Sequence, residues 1–247
     1  MAWYCILLIV LGSILVLLLL TIYFISLFAA KFIAHPHRFS VQECKEYNHK
    51  MKYDLGTEVL KRNPLSFTLP DGYLIHADYN LVTGSKKFVI LAHGFGSSRE
   101  GALRYSLIFE QLGFSTVIFD ERSHGDNIHK DVTMGVKECH DLVEIIDKVY
   151  QKFGNDICLG LQGVSMGAAT VLMSTRYQQW VKFIVSDCSY ATLKEVIADD
   201  LTKYHLSKKI FLHTIDFPLK FFNHFSFNDS RPIDAMKENK VPILFIH

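Results

Sequence analysis

Two short turns hold the residues whose types and spacing suit covalent chemistry. In Gly163-Val164-Ser165-Met166-Gly167 a serine stands two residues from a glycine on either side. An apolar run over 157–162 leads into it, and Ala168, Ala169, Val171 and Leu172 begin a helix after it. A strand-to-helix turn this sharp needs small residues near the serine, because bulk would clash with the tightly folded backbone. Such a turn lifts the hydroxyl above the sheet edge and beside a helix N-terminus, where developing negative charge is favoured. The second turn, His93-Gly94-Phe95-Gly96-Ser97-Ser98, follows another apolar run, 87–92. A tetrahedral acyl intermediate needs two donors aimed at its oxyanion, and the backbone N–H groups of Phe95 and Met166 are the candidates. Gly94 lets that loop come close to a substrate, and His93 is placed to orient it. The combination predicts an acyl-Ser165 intermediate.

The elements that must position these turns follow from periodicity. Alternating residues at 65–69, the turn Pro70-Asp71-Gly72 and a second run at 73–79 predict a hairpin. A strand buried on both faces is predicted at 87–92, and further strands at 114–120, 157–162, 183–187 and 241–246. Helices are predicted at 98–112, where Gly113 stops the run, and at 135–153. In the latter Val136, Cys139, Leu142, Val143, Ile146 and Val149 share one face. Strands alternating with helices imply a mostly parallel sheet covered on both faces, an α/β fold. A helical insertion at 188–240, rich in Phe, is either a lid over the site or a layer packed on the sheet.

Residues 3–30 carry no charged side chain and are long enough to cross a bilayer. A cleaved secretory signal would have a basic start, a shorter apolar core and a small-x-small cleavage site. The chain therefore reads as a transmembrane anchor at 1–30, a juxtamembrane helix or stalk at 31–62, and a domain at 63–247. Lys31, Arg38, Lys45 and Lys50 after the span favour a cytoplasmic domain. The five cysteines are odd in number and show no paired spacing, as expected of reduced thiols. With 26 basic and 25 acidic residues there is no field suited to nucleic acid. His35-Pro36-His37 lacks an acidic partner, and neither metal nor cofactor is expected.

The turns together with Asp120-Glu121-Arg122-Ser123-His124-Gly125, Ser186-Asp187-Cys188-Ser189-Tyr190 and a final Pro242-Ile243-Leu244-Phe245-Ile246-His247 resemble the α/β-hydrolase superfamily. Within it the chain looks most like membrane-anchored bacterial esterases and serine aminopeptidases, over residues 65–247. The 120–125 loop often reads D-x-R-G-x-G in such proteins, and here Ser123 replaces the first glycine. The resemblance implies a small-molecule acyl ester or amide as substrate, with Ser165 as nucleophile. It also implies that the triad acid and histidine follow the last strand, so the chain reads as cut short before both, and little turnover is expected of these 247 residues. Asp187 sits where some members supply the acid, but is also an ordinary turn or cap aspartate. His205, His213 and His224 fall in the insertion without a motif. Two other functions stay open: a binding protein that keeps the fold without a complete triad, and an acyltransferase.

Overall fold

The computed structural model describes residues 2–53, 62–177 and 180–247. Helix α1 (Ala2–Ala34) is followed by α2 (Val41–Lys50). Ser40 caps α2: its hydroxyl takes the Glu43 N–H while the Glu43 carboxylate takes the Ser40 N–H. The strands are β1 (Asn63–Thr68), β2 (Leu74–Asn80), β3 (Lys87–Ala92), β4 (Ser115–Phe119), β5 (Cys158–Val164), β6 (Phe183–Asp187) and β7 (Ile243–Ile246). The remaining helices are α3 (Leu103–Gln111), α4 (Glu138–Phe153), α5 (Met166–Ser174), α6 (Leu193–Lys203), α7 (Lys208–Asn223) and α8 (Pro232–Met236). The helix predicted at 98–112 opens as a 3-10 turn, Arg99–Ala102, before α3.

The seven strands form one sheet in the order β1-β2-β4-β3-β5-β6-β7. β1 and β2 are antiparallel to each other, as is β2 to β4; every other pairing is parallel. The reason lies in the sequence. The Pro70-Asp71-Gly72 turn has Gly72 at φ 78°, and the Asp71 carboxylate accepts the Tyr73 N–H, so the chain reverses at once. Later strands are separated by helices, which return the chain to the same end of the sheet.

β3, β4 and β5 form the centre, where Val89, Ile90, Leu91, Val117, Ile118, Leu159 and Leu161 are fully enclosed. α4 lays Leu142, Ile145, Ile146 and Val149 on one face of this sheet. α3 and its neighbours cover the other through Ala102, Tyr105 and Phe109. β5 is a seven-residue strand whose interior positions are all buried, because it lies between two parallel neighbours under helices on both sides.

The 188–240 segment forms its own apolar cluster with the end of α1. Phe211, Ile215 and Leu219 of α7 pack with Ala30, Ile33 and Ala34. Ser26 Oγ also donates to Thr214 Oγ1 at 2.7 Å. The insertion is therefore a helical layer packed on α1. The rest of α1 is exposed, and among the described residues it is the helix long and apolar enough to cross a membrane. The described part of 31–62 does not stand off as a free stalk: Val132 N–H donates to Ala34 O and Phe39 N–H to Gly96 O. The remainder of that stretch, 54–61, lies outside the described residues.

Replacing Leu161 by Ala removes a side chain enclosed at the sheet's centre. It should lower unfolding stability by about 2–5 kcal/mol, read by denaturant titration in detergent. A loss of under about 1 kcal/mol would mean that the centre of the sheet is not close-packed.

Candidate active site

Ser165 lies between β5 and α5 with φ 56° and ψ −117°. A non-glycine residue at positive φ is uncommon, and holding it there costs on the order of 1–3 kcal/mol. Its surroundings enforce the conformation. Ser165 N–H donates to Asp187 O at 2.9 Å, and Ala169 N–H donates to Ser165 O at 3.1 Å. A Cβ on Gly163 would collide with the Gly167 backbone, and one on Gly167 with the carbonyls of Ala92 and His93. Both glycines are thus required by close backbone approach. Every residue of α5 is buried, yet Ser165 itself is exposed. A rigid frame presents one free hydroxyl.

Gly94 faces this serine: a Cβ built on it would stand 3.5 Å from Ser165 Cβ. The loop that carries Gly94 and Phe95 is held from behind by two histidines. His93 Nδ1–H donates to Gly94 O at 2.8 Å, and His93 Nε2 accepts the Glu121 N–H at 3.0 Å. His124 Nε2 accepts the Gly96 N–H at 3.0 Å, and its Nδ1–H donates to Arg122 O at 2.9 Å. Burial pushes His93 down to about 4, and burial together with His93 pushes His124 down to about 3. Both rings are neutral, with both nitrogens committed, which suits them to positioning and not to proton transfer. Among the described residues neither Phe95 N–H nor Met166 N–H has a hydrogen-bond acceptor.

The 120–127 loop locks this arrangement. The Asp120 carboxylate accepts the Arg99 and Asp126 N–H groups and pairs with the Arg99 guanidinium, which also binds Asp78 and Asp126. Ser123 takes φ 66°, the conformation that a glycine would adopt without strain, and its hydroxyl bonds Asp131 O and Lys130 N–H. Arg122 reaches Asp141 and Asp71. Glu121 is wholly buried against Thr170 and Glu138, and burial raises its carboxyl well above the ordinary range.

Asp187 contributes its carbonyl to the elbow, while its carboxylate accepts the Tyr105 hydroxyl at 2.6 Å. No histidine among the described residues bonds either this carboxylate or the Ser165 hydroxyl. His205, His213 and His224 are exposed on the helical layer. Among the described residues no group of His, Cys, Asp and Glu could hold a metal ion. The five cysteines are free.

A cavity of about 700 Å³ opens beside the elbow, within the size range of ligand pockets. Gly94, Phe95 and Val164 form its side nearest Ser165; Phe39, just before α2, and Cys44, Tyr47 and Asn48 of α2 form the opposite wall. Arg104 adds a cation, stacked over Tyr53 and Tyr105 and donating to the Tyr105 hydroxyl. No residue of 188–240 lines this cavity, so the insertion is not its lid. The Phe211, Ile215 and Leu219 side of α7 is taken up by α1. The α2 wall and the His124 and Tyr105 contacts were missed from sequence; the glycine-like position of Ser123 was the one available signal for His124.

The family described as Serine aminopeptidase, S33 matches residues 83–240. The Bacillus subtilis (strain 168) protein YqkD, itself described as uncharacterized, is 28% identical over 187 residues. That match covers 74% of this chain and 61% of YqkD, so the chain spans about six-tenths of the relative's length. Among solved structures, the Pyrococcus furiosus esterase Pf2001 superposes with a TM-score of 0.58 at 21% identity, covering 75% of this chain and 69% of that one. Est1E from Butyrivibrio proteoclasticus, solved with ferulic acid bound, gives 0.53 at 19%, covering 74% and 78%. At these identities the structures establish the α/β-hydrolase fold.

Replacing Glu121 by Gln tests the buried carboxyl. Its raised folded pKa means that folding costs nothing extra below the ordinary carboxylate range. Stability is then lost as pH rises, because the unfolded chain ionises first. The variant should gain stability relative to the native protein between pH 5 and pH 8 and show no gain at pH 4. Melting curves at the three pH values read this directly, and a pH-independent difference would contradict it.

Proposed function

The chain belongs to the serine aminopeptidase S33 family within the α/β-hydrolase superfamily, and from that premise we propose a hydrolase of carboxylic esters or amides acting through acyl-Ser165. The observation that carries this reading is the strained, exposed Ser165 beside a cavity, with two unpaired N–H groups close by. In the proposed reaction Ser165 Oγ attacks the substrate carbonyl carbon. The resulting oxyanion accepts hydrogen bonds from Phe95 and Met166 N–H, the intermediate expels an alcohol or amine, and water releases the acid. The proton leaves Ser165 for a base other than His93 and His124, which have both nitrogens occupied.

The lining favours a substrate with an apolar acyl part. Phe39, Tyr47, Tyr53 and Phe95 supply aromatic surface, and the Arg104 cation attracts a carbonyl or anionic group at its end. α1 is proposed as a membrane anchor, with the domain on the cytoplasmic side by the lysines and arginine that follow the span. Its most apolar stretch buries nothing against the domain, which supports a lipid surrounding over a place in the domain's core.

A fluorophosphonate probe should label the natural protein, and leave its Ser165→Ala variant unlabelled. Labelling of both alike would remove Ser165 from the mechanism. Failure of both to label, in a folded protein that still binds acyl ligands, would favour a binding protein of the same fold. Tyr47→Ala widens the cavity at an exposed rim position and should shift chain-length preference toward longer acyl esters by about threefold to tenfold in kcat/KM, as expected for about 0.8 kcal/mol per newly buried methylene. An unchanged preference would exclude α2 from the substrate pocket.

A further inference from the structure

α7 is spent on α1 along one side only. Phe211, Ile215, Pro218 and Leu219 are buried, while Phe217, Phe221 and Phe222 are 68%, 66% and 61% exposed. Phe217 and Phe221 stack with ring centroids 6.3 Å apart, and Phe222 packs edge-on to Phe221 at 5.0 Å. Three adjacent exposed phenylalanines on one helix form a contiguous apolar patch of the kind that marks an interaction surface.

Their position along α1 says which surface they meet. Phe217, Pro218, Phe221 and Phe222 line one shallow groove with Tyr23, Ser26 and Leu27 of α1. Trp3 and Tyr23 are separated by about 30 Å of helix at 1.5 Å per residue, the thickness of a hydrocarbon core. Both are aromatic residues of the type that gathers at the two membrane boundaries, each with an aromatic neighbour, Tyr4 and Phe24. The first charged residue after them is Lys31. Tyr23 thus marks the boundary on the domain side, and the phenylalanine patch lies at the same level. α7 also carries Lys208, Lys209 and Lys220, the composition of a helix that rests in an interface. Lys220 is paired with Asp216, and Lys208 faces Asp199 of α6.

We propose that α7 lies in the membrane interface, with Phe217, Phe221 and Phe222 inserted at the boundary of headgroups and acyl chains beside Tyr23. The occupant of this face is a phospholipid bilayer, because the patch continues the apolar surface of α1 without a break. The inference rests on the reading of α1 as a membrane span. With α7 as a second contact, the domain is held in one orientation and does not swing from a single helix.

The full chain in phosphatidylcholine nanodiscs, with lipid brominated at carbons 6 and 7 of one acyl chain, tests this by tryptophan quenching. Three single-tryptophan forms are compared. Trp180→Phe leaves Trp3, which reports the span. Trp3→Phe leaves Trp180, which is 71% exposed and stands three residues before β6, at the end of the sheet away from Ser165. Removing both and adding Phe221→Trp reports the patch. The proposal expects the Phe221→Trp form to lose at least half its fluorescence in brominated discs, with Trp180 nearly unaffected. Quenching of Trp3 without quenching of the Phe221→Trp form would overturn the proposal and leave the span intact. No quenching at either would overturn both. An unquenched Phe221→Trp form whose emission shifts with protein concentration would assign the patch to a second copy of the chain instead. Phe222→Trp, a neighbouring position on the same exposed face, repeats the measurement independently of any local effect at Phe221.

Discussion

The backbone of Ser165 is held at a positive φ that its side chain disfavours, and the surrounding structure is arranged to make that conformation unavoidable. Strain of this order persists only where neighbouring contacts over-determine it. Here they come from three elements: β5 enters through Gly163, β6 supplies the Asp187 carbonyl, and β3 lies so close that Gly167 admits no side chain. The parallel order β3-β5-β6 brings all three together at one end of the sheet. Moving any one strand along its axis would release the serine from its turn.

The same economy governs the loop opposite. A loop of His, Gly, Phe and Gly has little intrinsic rigidity, yet its Gly94 and Gly96 are each tied to a buried imidazole. The imidazoles work as fixed acceptors because burial keeps them neutral. The charge they do not carry is concentrated one layer away, where Arg99 meets Asp78, Asp120 and Asp126, and Arg122 meets Asp71 and Asp141. Breaking one partner of such a pair leaves an uncompensated charge, which is why these networks fix geometry more reliably than they add stability. The Phe95 and Met166 N–H groups are then free for a ligand, the arrangement that electrostatic stabilisation of an oxyanion requires.

Much of this was legible in the sequence, because it depends on local signals. The hairpin followed from a Pro-Asp-Gly turn, the sheet from apolar runs spaced by helices, and the elbow from small residues around Ser165. The illegible parts depend on contacts between distant segments. That α2 walls the cavity requires knowing that Phe39 N–H reaches Gly96 O; nothing in 39–53 carries a pocket motif. The insertion was ambiguous between lid and layer because the partner of its Phe211, Ile215 and Leu219 face is the end of α1, far back in the chain. Ser123 weakened the resemblance of its loop by sequence, yet adopts the glycine-like conformation and satisfies its hydroxyl locally. Residue identity was a poor guide there because side-chain hydrogen bonds offset backbone cost.

The route from α1 to the cavity is short, and that constrains any substrate. Five residue-to-residue steps lead from Ala34, whose carbonyl is tied to Val132, to Phe39, whose N–H is tied to Gly96 of the loop that carries Phe95. At most about 3.6 Å per residue, this link spans no more than about 18 Å. A shift of α1 relative to the domain would therefore strain the loop that carries Phe95. The end of α1 is instead fixed by α7 through Ala30, Ile33 and Ala34. On the reading of α1 as a span bounded at Tyr23, the end of α1 (residues 24–34) and the 35–38 link lie between the bilayer surface and the cavity wall that begins at Phe39. An acyl group dissolved in the membrane would then have a much shorter path to Ser165 than one arriving at a domain on a long, flexible tether.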